Sequence, residues 1–209
     1  MATPRSKEKI LRCAREMFYH IGYQATSVDE IIERSGVAKS NFYYHFKSKE
    51  QLAFAVLETQ VDEYEEWIGL SLRNPSLLPS EQLHQFFAHL CQAQQEMQKL
   101  AGCPFGSFAA TLPIEDELFA DDKQRASYEQ SERFRQHISD LFRHLEMALH
   151  DCLVEGADCG DFRTDIAPAE LAMFLLASVE GLLILTKTHK DIGHLTGGLA
   201  IALQLVCLR

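Results

Sequence analysis

The sequence predicts an all-α protein of about nine helices, and three observations carry that reading. Apolar residues recur at three- and four-residue spacing through most longer segments. Helix-start and helix-stop signals are frequent. No stretch of useful length alternates apolar and polar residues as a half-buried strand would. The 209 residues, 46% apolar and 24% charged, suffice for one or two domains with a proper core and exclude a disordered chain.

Taken in order, Ile10, Ala14, Phe18 and Ile21 give the first helix its apolar face, and Gly22 stops it. Ser27 with Glu30 three residues on is a capping box opening a short second helix, which ends at Ser35-Gly36. The third helix runs from about Ala38 to Tyr44. Ser48 with Gln51 is a second capping box and starts a longer helix reaching about Leu70. RNPSLLPS (73–80) is a loop, and the fifth helix runs from about Glu81 to Leu100, carrying Leu83, Phe86, Phe87, Leu90 and Met97. After AGCPFGS a short helix covers about 105–111, ending before Pro113. A long helical region over 115–154, in one or two pieces, has an apolar stripe through Phe134, Ile138, Leu141, Phe142, Leu145 and Leu149. GADCGDFRTD (156–165) is a loop. Pro168 opens the next helix, to about Thr188. Asp191 caps the last, which ends near Leu208.

The net charge of −10 conceals a split. Residues 1–50 hold nine Lys/Arg and six Asp/Glu, a balance of +3, whereas the remainder carries 11 basic and 24 acidic residues, −13. A small cationic module joined to an acidic body is expected, with boundaries at 1–50 and 51–209. In the module, two short helices joined by a turn containing Gly36 make a helix-turn-helix, whose second helix enters the major groove of duplex DNA by its N-terminal end. That end reads Ala38-Lys39-Ser40-Asn41. Phe42 and Phe46 are expected in the module's own core. Adjacent residues cannot share one core face, so Tyr43 and Tyr44 are expected to present their hydroxyls to phosphate, with His45 beside them. Lys49 in the first turn of the fourth helix, and Thr26 and Ser27 at the start of the second, add phosphate contacts at helix N-termini. Most of these groups position the module and few read bases. Read singly, each aromatic here is also an ordinary core residue.

The stretch GYQATSVDEIIERSGVAKSNFYYHFKSKEQL resembles the N-terminal signature of the TetR/AcrR transcriptional regulators, over about residues 8–57. Ser40 stands where many members carry glycine, which leaves base preference open. The resemblance implies a repressor that binds palindromic operator DNA as a homodimer and is released by a small-molecule effector. It also implies a C-terminal helical domain for effector binding and dimerisation.

For that body the sequence offers two sets of residues. Leu171, Phe174, Leu175, Ser178, Gly181, Leu182 and Leu185 on one helix, with Leu195, Leu199, Ala202 and Val206 on the next, are expected to pair two subunits; the other reading is that they fill one chain's core. Phe86, Leu90, Cys103, Phe105, Phe108, Met147 and Phe174 are expected to line an effector pocket, though each also suits a plain core. Gly102 and Gly106 bracket Cys103, and the segment resembles a Gly-Cys-x-x-Gly stretch in a subset of the family; some of those members sense electrophiles or oxidants through cysteine. The thiol is thus either a sensor or structural.

Six cysteines without regular spacing, and a polar N-terminus, point to a reduced, cytoplasmic protein. The apolar stretch 166–186 contains Glu170 and Glu180, and is expected to be buried in protein rather than in a membrane. His84 and His89, like His189 and His194, are five residues apart, which on one helix puts them on different faces, so no metal is expected. No cofactor motif and no nucleophile–base pair is present, so no enzyme is expected. The alternatives that remain are a thiol-based redox sensor, differing only in trigger, and a ligand- or protein-binding module whose helix-turn-helix is vestigial.

Overall fold

A computed structural model describes residues 4–96, 102–110, 112 and 122–207. Among these residues the regular elements are nine helices: α1 (Pro4–His20), α2 (Val28–Ser35), α3 (Lys39–His45), α4 (Lys49–Leu70), α5 (Pro79–Glu96), α6 (Pro104–Ala109), α7 (Asp122–Cys159), α8 (Pro168–His189) and α9 (Gly193–Val206). One isolated antiparallel bridge joins Phe162 to Cys207. The all-α expectation holds. Met97, the end of the fifth helix at Leu100, Pro113, the helix start at 115 and the terminus at Leu208 lie outside the described residues.

The local signals act as chemistry requires. Ser27 Oγ accepts from the Glu30 N–H at 3.2 Å while the Glu30 carboxylate accepts from the Ser27 N–H at 2.8 Å, closing the capping box of α2. Gly36 ends α2 at φ 64°, a left-handed geometry that suits glycine. Ser48 Oγ accepts from the Gln51 N–H at the start of α4.

One boundary differs. The loop expected over 156–165 is shorter, because α7 continues unbroken to Cys159. Gly156 is not a breaker here but a seat for a ring: a Cβ at that position would meet Phe162 at 2.0 Å. Phe162 is fully buried over it, and the chain turns only at Gly160, with φ 84°.

The chain divides into two compact units: Met1–Asp62 with Pro104–Gln136, and Glu63–Cys103 with His137–Arg209. It passes between them within α4, after Cys103 and within α7. Unit one is cored by Ile10, Phe18, Ile31, Phe42, Phe105 and Phe108. Unit two is cored by Leu83, Phe86, Leu149, Phe162, Leu175 and Leu199.

In unit two α8 and α9 pack against one another. α8 is the one described helix with the length and composition to cross a bilayer, but Leu171, Leu175, Val179 and Leu183 turn into the unit's own core. The close approach falls at Gly198, where a Cβ would meet Leu182 Cδ2 at 2.2 Å. Gly181, expected on the pairing surface, has nothing within 4 Å of its Cβ position in this chain.

Candidate nucleic-acid interface

The recognition element is α3 with the turn before it. Phe42 and Phe46 are buried at 0% and 2% exposure, whereas Tyr43 and Tyr44 are 41% and 69% exposed. The division follows from helical phase: with Phe42 and Phe46 on the inner face, Tyr43 and Tyr44, one and two positions after Phe42, turn out. Lys39 and Ser40 are also exposed, and Asn41 is half-buried. Lys47, absent from the residues expected at DNA, extends the outward run; its Nζ donates to the Tyr43 carbonyl at 2.8 Å. The signal for it is in the sequence, because Lys47 lies four residues after Tyr43. The outward surface is thus two cations, a serine and two phenols, flanked by Asn41.

Lys39 is held at rest by a 3.0 Å ion pair with Asp29 of α2, which raises its pKa. Both side chains are well exposed, so the pair is readily exchanged for another anion. Ser27 is exposed but already engaged in its capping box. His45 is half-buried, its Nε2 turned inward with no hydrogen-bond partner among the described residues.

Two of the expected phosphate contacts face elsewhere. Thr26 is 1% exposed, and its hydroxyl donates to the Gly22 carbonyl at 2.8 Å, so its side chain holds the α1–α2 turn. Lys49 donates from Nζ to the carbonyls of Tyr23 and Thr26, each at 3.0 Å, and lies 4.4 Å from the Tyr23 ring centre. Burial lowers its pKa. Its ammonium is a strut for the same turn, since carbonyls and a ring face occupy it.

Tyr23 anchors that turn further. Burial, the Glu50 charge and a hydrogen bond donated to the Glu50 carboxylate all push its phenol pKa well above the ordinary value. Its ring meets Phe18 at 5.4 Å, Phe108 of α6 at 5.1 Å and Phe134 of α7 at 5.8 Å. Phe54 stacks on Phe134 at 4.0 Å. Every member belongs to unit one.

The expected pocket residues are distributed over both units. Phe86, Leu90 and Cys103 are buried in unit two, Phe105 and Phe108 in unit one. Met147 and Phe174 are 54% and 46% exposed. Sequence reasoning anticipated that the helix of Glu180 is buried but missed two contacts in unit two, one made by Glu180 and one by Gln94. Glu180 is largely buried in α8, which raises its pKa, and the Cys103 thiol donates to its carboxylate. Gln94, also buried, clasps Gly102 by two hydrogen bonds of 3.1 and 3.2 Å and so fixes the approach to Cys103. An open cleft of about 600 Å³ lies between the start of α5 and the end of α9, bordered by Leu77, Glu81, His84, Leu203 and Cys207.

The pairing residues also separate. Leu171, Leu175, Leu195, Leu199, Ala202 and Val206 are buried in the chain's own core, so the expectation that they face a second subunit is corrected. Phe174 and Leu185 are exposed, and Ser178, Gly181 and Leu182 are half-buried. The outward apolar residues of α8 and α9 are instead Met173, Phe174, Ile184, Leu185, Ile201 and Leu205, between 44% and 61% exposed.

A short helix with an exposed polar face, set by a glycine turn on a capped partner helix, defines a DNA-binding regulator of the helix-turn-helix class. Residues 10–56 match the family described as bacterial regulatory proteins, tetR family, and residues 125–200 match the tetracyclin repressor-like C-terminal domain. The chain belongs to the TetR family of transcriptional regulators, a family of regulators rather than enzymes. It is 26% identical over 192 residues to the HTH-type transcriptional repressor DhaR of Mycobacterium sp. (strain GP1), covering 91% of this chain and 87% of that protein. Its fold is similar to that of a TetR-family regulator from Agrobacterium tumefaciens, with a TM-score of 0.82 at 20% identity over 98% of both chains. It is also similar to reduced E. coli NemR, with a TM-score of 0.78 at 17% identity and the same coverage.

Proposed function

We propose that this chain is a cytoplasmic, homodimeric repressor that binds a palindromic operator and is released by a small-molecule effector bound in unit two. The observation that carries the reading is the outward run Lys39, Ser40, Tyr43, Tyr44 and Lys47 on a helix whose inner face is sealed by Phe42 and Phe46. The cations and phenols suit phosphate; Ser40 and Asn41, nearest the N-terminal end of α3, suit base edges. A single such head makes few contacts, and two heads spaced by about 34–36 Å, or a multiple, gain affinity together. The exposed apolar residues of α8 and α9 supply a surface for pairing that a solvated monomer would not keep. With α8 and α9 covered by a second copy, no membrane is needed to account for their composition. The effector acts by binding more tightly to the dimer shape that fits DNA poorly.

The test is selection of bound duplexes from a random pool, then footprinting and ultracentrifugation. A protected two-fold-symmetric site and a two-subunit particle are the expected results. No enriched palindrome at low salt would leave the vestigial-head reading in its place.

A second trigger is favoured by one observation, the thiol–carboxylate contact of Cys103 with Glu180. Glu180 can take the thiol proton as Cys103 sulfur bonds the β-carbon of an unsaturated carbonyl compound, whose C=C π pair moves into the enolate and is then protonated at the α-carbon. Release of DNA by an unsaturated carbonyl compound in the wild type, and its loss in Cys103→Ser, is the expected result of that reading.

A further inference from the structure

We propose that His189 and His194 form a two-imidazole site for a borderline divalent transition metal such as Ni²⁺, Zn²⁺ or Cu²⁺. Their spacing in the sequence would set them on different faces of one helix. The structure puts them on two helices: α8 ends at His189 and α9 begins at Gly193, so the side chains leave either side of a tight turn. Their ring centres are 4.7 Å apart and their planes inclined by 33°. His189 is exposed and His194 half-exposed.

The turn is fixed before any ion arrives. Lys190 takes a left-handed φ of 55°, and its N–H donates to the Thr186 carbonyl. The Asp191 N–H donates to that same carbonyl at 3.2 Å, and Asp191 Oδ1 accepts from the Gly193 N–H at 2.8 Å. The backbone therefore presents both rings together at little further entropic cost.

The spacing suits chelation. With a metal–nitrogen bond of about 2.1 Å and each ring centre about 1.1 Å behind its nitrogen, two cis imidazoles on one ion keep their centres about 4.5–5.2 Å apart. The observed separation lies in that window. Imidazole is a preferred ligand of nickel, copper and zinc. Among the described residues no third histidine, cysteine or carboxylate joins the pair, so water completes the coordination and the ion exchanges readily. A bound ion would tie the last turn of α8 to the first of α9 and stabilise the folded chain by linkage.

The test uses untagged, reduced full-length protein carrying Cys159→Ser, which removes an exposed competing thiol. Titration with Ni²⁺ by calorimetry is expected to show one site per chain. His189→Ala or His194→Ala should weaken it by about 10-fold or more, as loss of a ligand does, while His20→Ala and His84→Ala leave it unchanged. The imidazole signals of residues 189 and 194 should broaden first as paramagnetic ion is added. Equal affinity in the parent and the His189→Ala/His194→Ala double variant, earlier broadening elsewhere, or no binding at millimolar Ni²⁺ would overturn the proposal. Because the readout is metal uptake, its failure is separate from failure of the operator reading.

Discussion

The recognition helix and the α8–α9 pair are both apolar on one side and exposed on the other, yet only the first declares its sides in the sequence. In α3 two phenylalanines four residues apart stand among polar neighbours, and helical phase leaves one arrangement. α8 is apolar almost all round, so Leu175 and Leu185 look alike on paper although one is buried and the other 44% exposed. Amphipathic contrast, not hydrophobicity, is what fixes an orientation. Where contrast is missing, the facing residues are chosen by the neighbouring helix, here through Leu182 seated on Gly198.

The contrast is broken most severely in α8–α9. Leu199→Ala removes a buried side chain and should cost about 2–5 kcal/mol of stability in a denaturant melt. Ile184→Asp with Ile201→Asp removes no core contact within the chain, so the melt should fall only by what pairing supplied and should no longer depend on protein concentration. The double substitution should move the sedimenting particle from two subunits to one and weaken operator binding by about 100-fold or more through lost avidity. A particle that stays dimeric would show that the outward residues are not the pairing face.

In the head the comparison is between lysines. Lys49→Met should lower the melting midpoint along with DNA affinity, by about 1 kcal/mol for the lost carbonyl contacts. Lys39→Met should lower DNA affinity alone. Equal melts for the two would contradict the strut role of Lys49. Lys47→Ala should reduce the salt slope of operator binding by about one and weaken all sequences alike, whereas Ser40→Ala should alter which base is preferred. The smallest effect is expected at Glu180. Its raised folded-state pKa means that its contribution is fully present below the ordinary value of 4.5 and is lost as pH rises through the folded value. Glu180→Gln should therefore gain in melting temperature over the wild type as pH increases, and a pH-independent difference would refute the burial of that carboxyl.

Much of this architecture is legible in the sequence because helix starts and stops are local. Ser27 with Glu30, Gly36 and Pro168 each act within one turn of themselves. What escapes depends on distant partners. Gly156 reads as a breaker until Phe162 is seen above it. Lys49 reads as a free cation until the carbonyls of Tyr23 and Thr26 are found around it. His189 and His194 read as separate until the chain turns between them. The same limit explains the pocket set, since packing decides the burial of Phe108 and the exposure of Met147.

Tyr23 sets a limit on modularity. It belongs to the stretch that carries the family signature, but two of its ring neighbours, Phe108 and Phe134, arrive from residues more than eighty positions later. A chimera spliced after residue 50 would graft a foreign reading head onto this chain with the wrong sockets for its tyrosine. Residues 104–136 would have to travel with the head for the hybrid to keep its turn in shape.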